Sequence, residues 1–144
     1  DLCASRGLGD VYKRQKPFKN FEDIVFKMLD IYENYEKNKI LEILNAHPEL
    51  AVAKKMTSES ISEQASAKLN QCSNDEYEEF KKLNSEYKKK FNFPFIIAVK
   101  GKDKNEILNN FRQRIQSDVE SEFLEAKKQV KKIATFRLNE INKK

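Results

Sequence analysis

The only histidine in this 144-residue chain, His47, is the first candidate for acid–base chemistry. It opens the stretch His47-Pro48-Glu49-Leu50-Ala51, and a proline disfavours the α conformation of the residue before it. His47 is therefore predicted at the end of a helix, where backbone groups lack helical partners and a side chain can point into a cleft. Taken alone, a histidine before a proline is more often a helix-terminal residue than a catalyst.

Two charged residues could assist such a histidine. Glu63 follows His47 by sixteen residues, and Arg137 lies on an apolar stripe, four residues after Ile133 and four before Ile141. An arginine on an apolar stripe needs a partner when it is buried, or else it faces a polar cleft. Most glutamates are solvated, and Arg137 fits a structural salt bridge as well as an anion-binding role.

Other catalytic chemistries have little support in this sequence. It contains no glycine-rich phosphate loop and no GxSxG motif. The two cysteines, Cys3 and Cys72, have no CxxC partner, and with one histidine they cannot build a common zinc site. What remains is acid–base chemistry without a metal or organic cofactor, and these residues alone do not name a substrate.

The most apolar run of the chain is Phe93-Pro94-Phe95-Ile96-Ile97-Ala98-Val99. Periodicity alone permits a buried strand, but no second strand candidate occurs elsewhere in the sequence. We therefore expect extended chain, or the start of a helix, threaded through the core.

The elements that must position these residues are predicted to be helices. Only three glycines and three prolines occur, and no internal repeat is present. The expected fold is all-α, a compact single-domain helical bundle with a short extended apolar segment near 93–99. Apolar residues at helical spacing, together with capping residues, predict helices from about Asn20 to Tyr35, through Ile40–Leu44 and ending before Pro48, from Thr57 or Ser58 to Cys72, from Ser73 or Asn74 to Phe91, from Asp103 to Ile115, and from the capping box Ser117–Glu120 to Ile141.

Composition leaves a rival function open. The net charge of +5 and the lysine-rich helix from Glu76 to Lys90 would suit a small basic module that binds a protein or nucleic acid. Against this, acidic residues interleave with the lysines, and the aromatic residues stand at core spacing. No nucleic-acid or membrane partner is expected, and the cysteine usage favours a reducing, cytoplasmic setting.

Residues 1–15 differ in style from the rest and hold two of the three glycines. They show no helical or strand periodicity and resemble translated vector sequence. We therefore expect a foreign leader at 1–15 and one domain over 16–144.

Four motifs together resemble the OHCU decarboxylases, which act on 2-oxo-4-hydroxy-4-carboxy-5-ureidoimidazoline in the urate-to-allantoin pathway. His47–Ala51 is similar to the family's HP(D/E)LA signature, and Ser60–Ala65 to its SxxEQA segment. Tyr87–Ile97 resembles the family's Yxx(R/K)FGFPF(V/I)I segment, with Asn92 at the usual glycine, and Ile133–Leu138 also fits. The order and spacing of these motifs make the resemblance specific over about residues 16–141.

The resemblance implies an all-α, cofactor-independent decarboxylase that yields (S)-allantoin and is often a homodimer. It implies catalytic roles for His47, Glu63 and Arg137, with His47 as the acid/base. We expect the family's N-terminal helix to have no counterpart here, because the leader occupies its place. A related ureide-acting enzyme is the second enzyme alternative. The positions that match substrate-contacting ones are Pro48, Ser60, Gln64, Phe95, Ile96, Ile97, Ala98 and Val99.

Overall fold

The computed structural model of the chain describes residues 20–51, 63–65 and 69–143. Within these ranges, five α-helices and one 3-10 turn have defined ends. No strand occurs among these residues, which confirms the all-α prediction. Residues 63–65 are also helical, whereas the predicted leader and the predicted caps Thr57 and Ser58 lie outside the described residues. The bounded elements are α1 (Phe21–Glu33), α2 (Lys37–Asn45), the 3-10 turn (Leu69–Gln71), α3 (Asn74–Phe91), α4 (Lys104–Arg114) and α5 (Val119–Lys143).

Side-chain caps begin the helices close to where the sequence predicts. Ser73 and Glu76 form a reciprocal capping box at the start of α3, and the Asp103 carboxylate caps α4. The last helix differs from the prediction by one residue. Asp118, rather than Ser117, is the capping residue: its carboxylate accepts the backbone N–H of Ser121 at 2.8 Å. Asp118 directly precedes the first helical residue, Val119, which is the position of an N-cap.

Asn92 ends α3 in the left-handed conformation, with φ of 64°. Left-handed backbone normally favours glycine, and asparagine is among the side chains that tolerate it best. The Asn92 position therefore keeps the turn that a glycine would make, and the chain enters the apolar run directly after it.

The apolar run is the centre of the core, and residues 93–99 are all buried. Residues 94–99 form no regular secondary structure, as expected for extended chain between helices. The Tyr87 ring on α3 contacts those of Phe91, Phe93, Phe95 and Phe111, and the last two stack at 3.9 Å between centroids. The aromatic side chains of α3 and α4 thus enclose one side of the run.

Helix α5 closes the other side and packs against α1, α2 and α3. Its 25 residues extend about 37 Å at 1.5 Å per residue, which is longer than the helices beneath it. Val119 and Ile141, at the two ends of its apolar stripe, are consequently exposed, while Ala126, Val130 and Ile133 are buried. No helix among the described residues is long and apolar enough to cross a membrane.

Candidate functional site

One pocket collects most of the residues that the sequence singles out. Its volume, counted out to the opening to solvent, is about 380 Å³. The loop after α2, residues 63–64, the apolar run and α5 all contribute to its wall. The lining residues are His47, Pro48, Leu50, Glu63, Gln64, Phe95, Ile96, Ile97, Val99, Ile133 and Arg137.

His47 lies just beyond the end of α2, as the following proline predicts. Its backbone N–H donates to the carbonyl of Leu44, and its imidazole Nδ1 lies 2.9 Å from the carbonyl of Ile43. A carbonyl oxygen can only accept, so Nδ1 carries the proton. The neutral ring therefore has Nε2 as its basic nitrogen, in a side chain that is 8% exposed.

The electrostatic environment keeps this imidazole neutral. Burial lowers the pKa of His47 to about 3, and the positive charge of Arg137 acts in the same direction. His47 therefore enters any reaction near neutral pH as a proton acceptor rather than as an imidazolium acid.

Glu63 and Arg137 form an ion pair at the pocket wall. The Arg137 Nη2 and Nε groups lie 2.6 Å and 3.2 Å from Oε1 of Glu63, across 74 positions of sequence. The Arg137 side chain is 14% exposed and that of Glu63 is 31% exposed. Arg137 thus has the partner that its position on an apolar stripe requires, and its cation also lines the pocket.

Two buried amides hold the loop that carries His47. Gln64 accepts the backbone N–H of Ala51 at 3.1 Å and donates to the carbonyl of Glu49 at 3.3 Å. Asn84 on α3 donates to the carbonyl of Leu50 at 3.0 Å. Ala51 has a φ of 55°, a left-handed conformation that costs a non-glycine residue about 1–2 kcal/mol. The Gln64 bond to Ala51 is one of the contacts that offset this strain.

The apolar run is anchored from outside the pocket. The Ile96 carbonyl accepts from Nη1 of Arg114 at 2.7 Å, and the Ala98 N–H donates to Oε1 of Gln129 at 2.9 Å. The Ala98 carbonyl accepts from Lys102 Nζ at 3.1 Å. Ala98 does not line the pocket, unlike its neighbours Ile97 and Val99.

Arg114 belongs to a buried polar cluster with Glu122 and Tyr87. Its Nε and Nη2 lie 2.7 Å and 2.5 Å from Oε1 of Glu122, a residue that is 1% exposed. The Tyr87 hydroxyl donates to the same oxygen, and the Arg114 guanidinium lies 4.4 Å from the centre of the Phe95 ring. Burial and the Glu122 carboxylate raise the pKa of Tyr87, so its hydroxyl remains a hydrogen-bond donor.

Sequence reasoning missed these anchors although a signal for them exists. Arg114 follows Phe111 by three residues, and Glu122 precedes Ala126 by four, so each charge stands on the apolar face of its helix. This is the same pattern that draws attention to Arg137. Leu50 and Ile133 were also missed as wall residues, whereas Ser60 lies outside the described residues.

Comparison with known sequences points to one family. A sequence model of the OHCU decarboxylase family matches residues 2–139, a range that includes most of the segment predicted as a leader. The domain boundary at residue 16 therefore stays a prediction.

Two relatives differ in how much of them the chain covers. The "Uric acid degradation bifunctional protein" of Bacillus sp. (strain TB-90) is 40% identical over 126 residues, 88% of this chain and 25% of that protein. The 2-oxo-4-hydroxy-4-carboxy-5-ureidoimidazoline decarboxylase of Haloferax volcanii is 35% identical over 128 residues, 89% of this chain and 76% of that protein. The chain spans about a quarter of the Bacillus protein and about three quarters of the Haloferax protein.

Solved structures show the same fold. A crystal structure of an OHCU decarboxylase in the presence of (S)-allantoin has a TM-score of 0.78 at 24% identity, covering 96% of this chain and 92% of that one. A crystal structure of an (S)-allantoin synthase has a TM-score of 0.72 at 28% identity, covering 96% of this chain and 44% of that one.

Proposed function

This chain belongs to the OHCU decarboxylase family, and we propose that it decarboxylates 2-oxo-4-hydroxy-4-carboxy-5-ureidoimidazoline to (S)-allantoin without a cofactor. The observation that carries the proposal is that His47 and the Glu63–Arg137 ion pair line the same pocket, beside the apolar run. Both the acid–base group and the anion-binding group that this reaction needs come from side chains of the chain itself.

The chemistry explains why side chains suffice. When the bond from C4 to the carboxylate breaks, its electron pair moves into the ring and reduces the neighbouring C5 imine, whose nitrogen takes a proton. The resulting enol loses its 4-hydroxyl proton and gains a proton at C5, which gives allantoin. One proton is taken up overall for each CO2 released. Two protons are delivered, one to the ring nitrogen and one to a single face of C5, and one is accepted from the 4-hydroxyl, so the net proton comes from solvent.

His47 suits the proton-accepting part of this sequence. Its Nδ1–H is held by the Ile43 carbonyl, and its burial keeps Nε2 unprotonated. We assign Nε2 the task of taking the 4-hydroxyl proton and returning a proton to C5. Positioned acid–base catalysis of this kind contributes roughly 10²–10⁴-fold to a rate.

Arg137 and Glu63 are assigned complementary tasks. The guanidinium attracts the substrate carboxylate and stabilises the charge that develops on the ring, in a pocket whose other walls are largely apolar. Glu63 keeps Arg137 in place through the two contacts of the guanidinium with its Oε1. Breaking this pair would leave one partly buried charge uncompensated.

The remaining predicted residues are proposed to hold the ureido group and the ring. Gln64 holds the His47 loop through its bonds to the backbone of Ala51 and Glu49, and it lines the pocket. Pro48 and the 95–99 run supply apolar surface and backbone groups, and Ser60 is carried over from the family resemblance alone. Geometric positioning of this kind keeps the carboxylate out of the ring plane.

The test couples urate oxidation and hydroxyisourate hydrolysis to this protein and follows (S)-allantoin by circular dichroism. We expect a signal of one sign that grows faster than spontaneous decay, and a loss of about 10²-fold or more in His47→Gln. Racemic product at the spontaneous rate would refute the proposal. Unchanged turnover in His47→Gln would refute the role of His47 alone.

We also propose a homodimer in a reducing, cytoplasmic setting. Phe26 on α1 and Leu124 on α5 are large apolar side chains with 71% and 58% exposure, which suits a surface covered by a second copy. Cys72 is a thiol rather than a disulfide within the described residues. Light scattering on the purified chain would give twice the monomer mass if the dimer forms and the monomer mass if it does not.

A further inference from the structure

The apolar run faces two kinds of neighbour. Ile96, Ile97 and Val99 line the pocket, whereas Arg114 and Gln129 bond the backbone of the run and do not line it. In extended chain, successive residues direct their backbone groups to opposite sides. The Ile96 carbonyl and the Ala98 N–H therefore lie on the anchored side, as their two bonds require.

The two anchors determine where the backbone of Ile97 points. The C=O and N–H of a trans peptide unit point in opposite directions. Because the Ile96 carbonyl is turned toward Arg114, the Ile97 N–H is turned away from it. Because the Ala98 N–H is turned toward Gln129, the Ile97 carbonyl is also turned away from the anchors.

We propose that Arg114 and Gln129 are positioning residues that hold the N–H and C=O of Ile97 toward the pocket as a donor–acceptor pair for the substrate's ureide groups. A ureido group or ring amide carries an N–H and a C=O side by side, which complements such a pair. The inference rests on the proposed function for the identity of the ligand. The direction of the backbone rests on the anchoring bonds themselves.

The Arg114–Glu122 pair has features that fit positioning better than simple stabilisation. A buried ion pair is often no more stabilising than apolar residues of similar volume, because both charges lose their hydration. Here Glu122 and the Phe95 ring fix the guanidinium plane, so its third nitrogen reaches Ile96 in a defined direction. Gln129 is held in a similar way, since its Nε2 donates to Glu125 at 3.0 Å.

The experiment removes the anchors without leaving a buried charge. The double variant Arg114→Gln/Glu122→Gln deletes both members of the ion pair, and Gln129→Met deletes the acceptor of the Ala98 N–H. Arg112→Gln is the matched control on the same helix, because its guanidinium binds Glu79 at the surface. If one anchor variant fails to fold, the other still decides the question.

Two measurements separate positioning from a structural role. We expect KM to rise about tenfold in each anchor variant with kcat within about threefold, because binding is lost equally in the ground and transition states. Amide exchange followed by NMR should be faster at Ala98 in both variants. Arg112→Gln should match the wild type in KM and in exchange.

Three results would overturn the inference: unchanged KM in a folded anchor variant, unchanged Ala98 exchange, or a fall in melting temperature with no change in KM. If the wild-type chain has no decarboxylase activity, the proposed function fails separately. Ala98 exchange then decides alone whether Arg114 and Gln129 hold the run, with faster exchange supporting them and unchanged exchange refuting them.

Discussion

Stability between pH 7 and pH 5 should depend on the single histidine. His47 has its pKa lowered to about 3 by burial in the folded protein, while in the unfolded chain it titrates near 6.5. Between these values the unfolded chain binds the proton and the folded protein does not. Stability is therefore complete above pH 6.5 and falls as the pH drops toward 3.

The magnitude follows from linkage. Each pH unit inside this window costs about 1.4 kcal/mol, so the fall from pH 7 to pH 5 removes about 2 kcal/mol from the free energy of unfolding. This figure depends little on the folded-state value, because a pKa anywhere below about 4 gives the same loss. The carboxylates whose pKa values lie below normal, such as those of Glu33 and Glu79, contribute mainly below pH 5.

Urea unfolding followed by far-ultraviolet circular dichroism at pH 7, 6 and 5 measures this loss. The wild-type midpoint should fall steadily at constant m, and the His47→Asn variant should show almost none of this dependence. Because the chain has no second histidine, no other side chain with a normal pKa near 6.5 can supply the slope. A wild-type midpoint that stays constant, or a slope that persists in His47→Asn, would refute a buried neutral imidazole.

Three further outcomes are expected. Glu63→Gln removes the charge that pairs with Arg137. This variant should lower kcat/KM about 10²-fold in the circular dichroism assay. Retention of full activity would contradict the role of Glu63. Asn92→Ala should lower the free energy of unfolding in urea by about 1–2 kcal/mol, because Asn92 has a φ of 64°. Asn92→Gly should lower it little, and equal losses in the two variants would contradict the left-handed turn. Tyr87→Phe should lower the free energy of unfolding by about 1.5–3 kcal/mol, because it removes the hydroxyl that donates to the Glu122 carboxylate. An unchanged unfolding midpoint would argue against that bond.

Local structure was largely predictable from the chain. Apolar spacing located the bounded helices, and capping residues set their starts to within one or two positions, as at Ser73 and Asp103. These features depend on residues three or four apart, which a linear pattern displays directly. The one-residue error at Asp118 arose because two candidate caps stand side by side and only their geometry distinguishes them.

The site was predictable only in part. Motif resemblance named His47, Glu63 and Arg137 as catalytic candidates, and the helix end before Pro48 gave His47 its place. The anchors behind the pocket were not foreseen, because Arg114 and Gln129 carry no motif and act through backbone groups of another segment. The expected substrate contact of Ala98 stays a prediction; its N–H bonds Gln129, its carbonyl bonds Lys102, and it does not line the pocket.

The order of residues along the chain was enough to indicate the helical pattern, the apolar run and the side chains able to transfer protons or bind an anion. Tertiary structure alone decided that Glu63 reaches Arg137 across 74 positions and that Nδ1 of His47 is the protonated nitrogen. It also decided the depth of burial that depresses the histidine pKa. Such contacts depend on how helices pack in three dimensions. Neither helical periodicity nor residue type gives the distance between side chains that are far apart in the sequence.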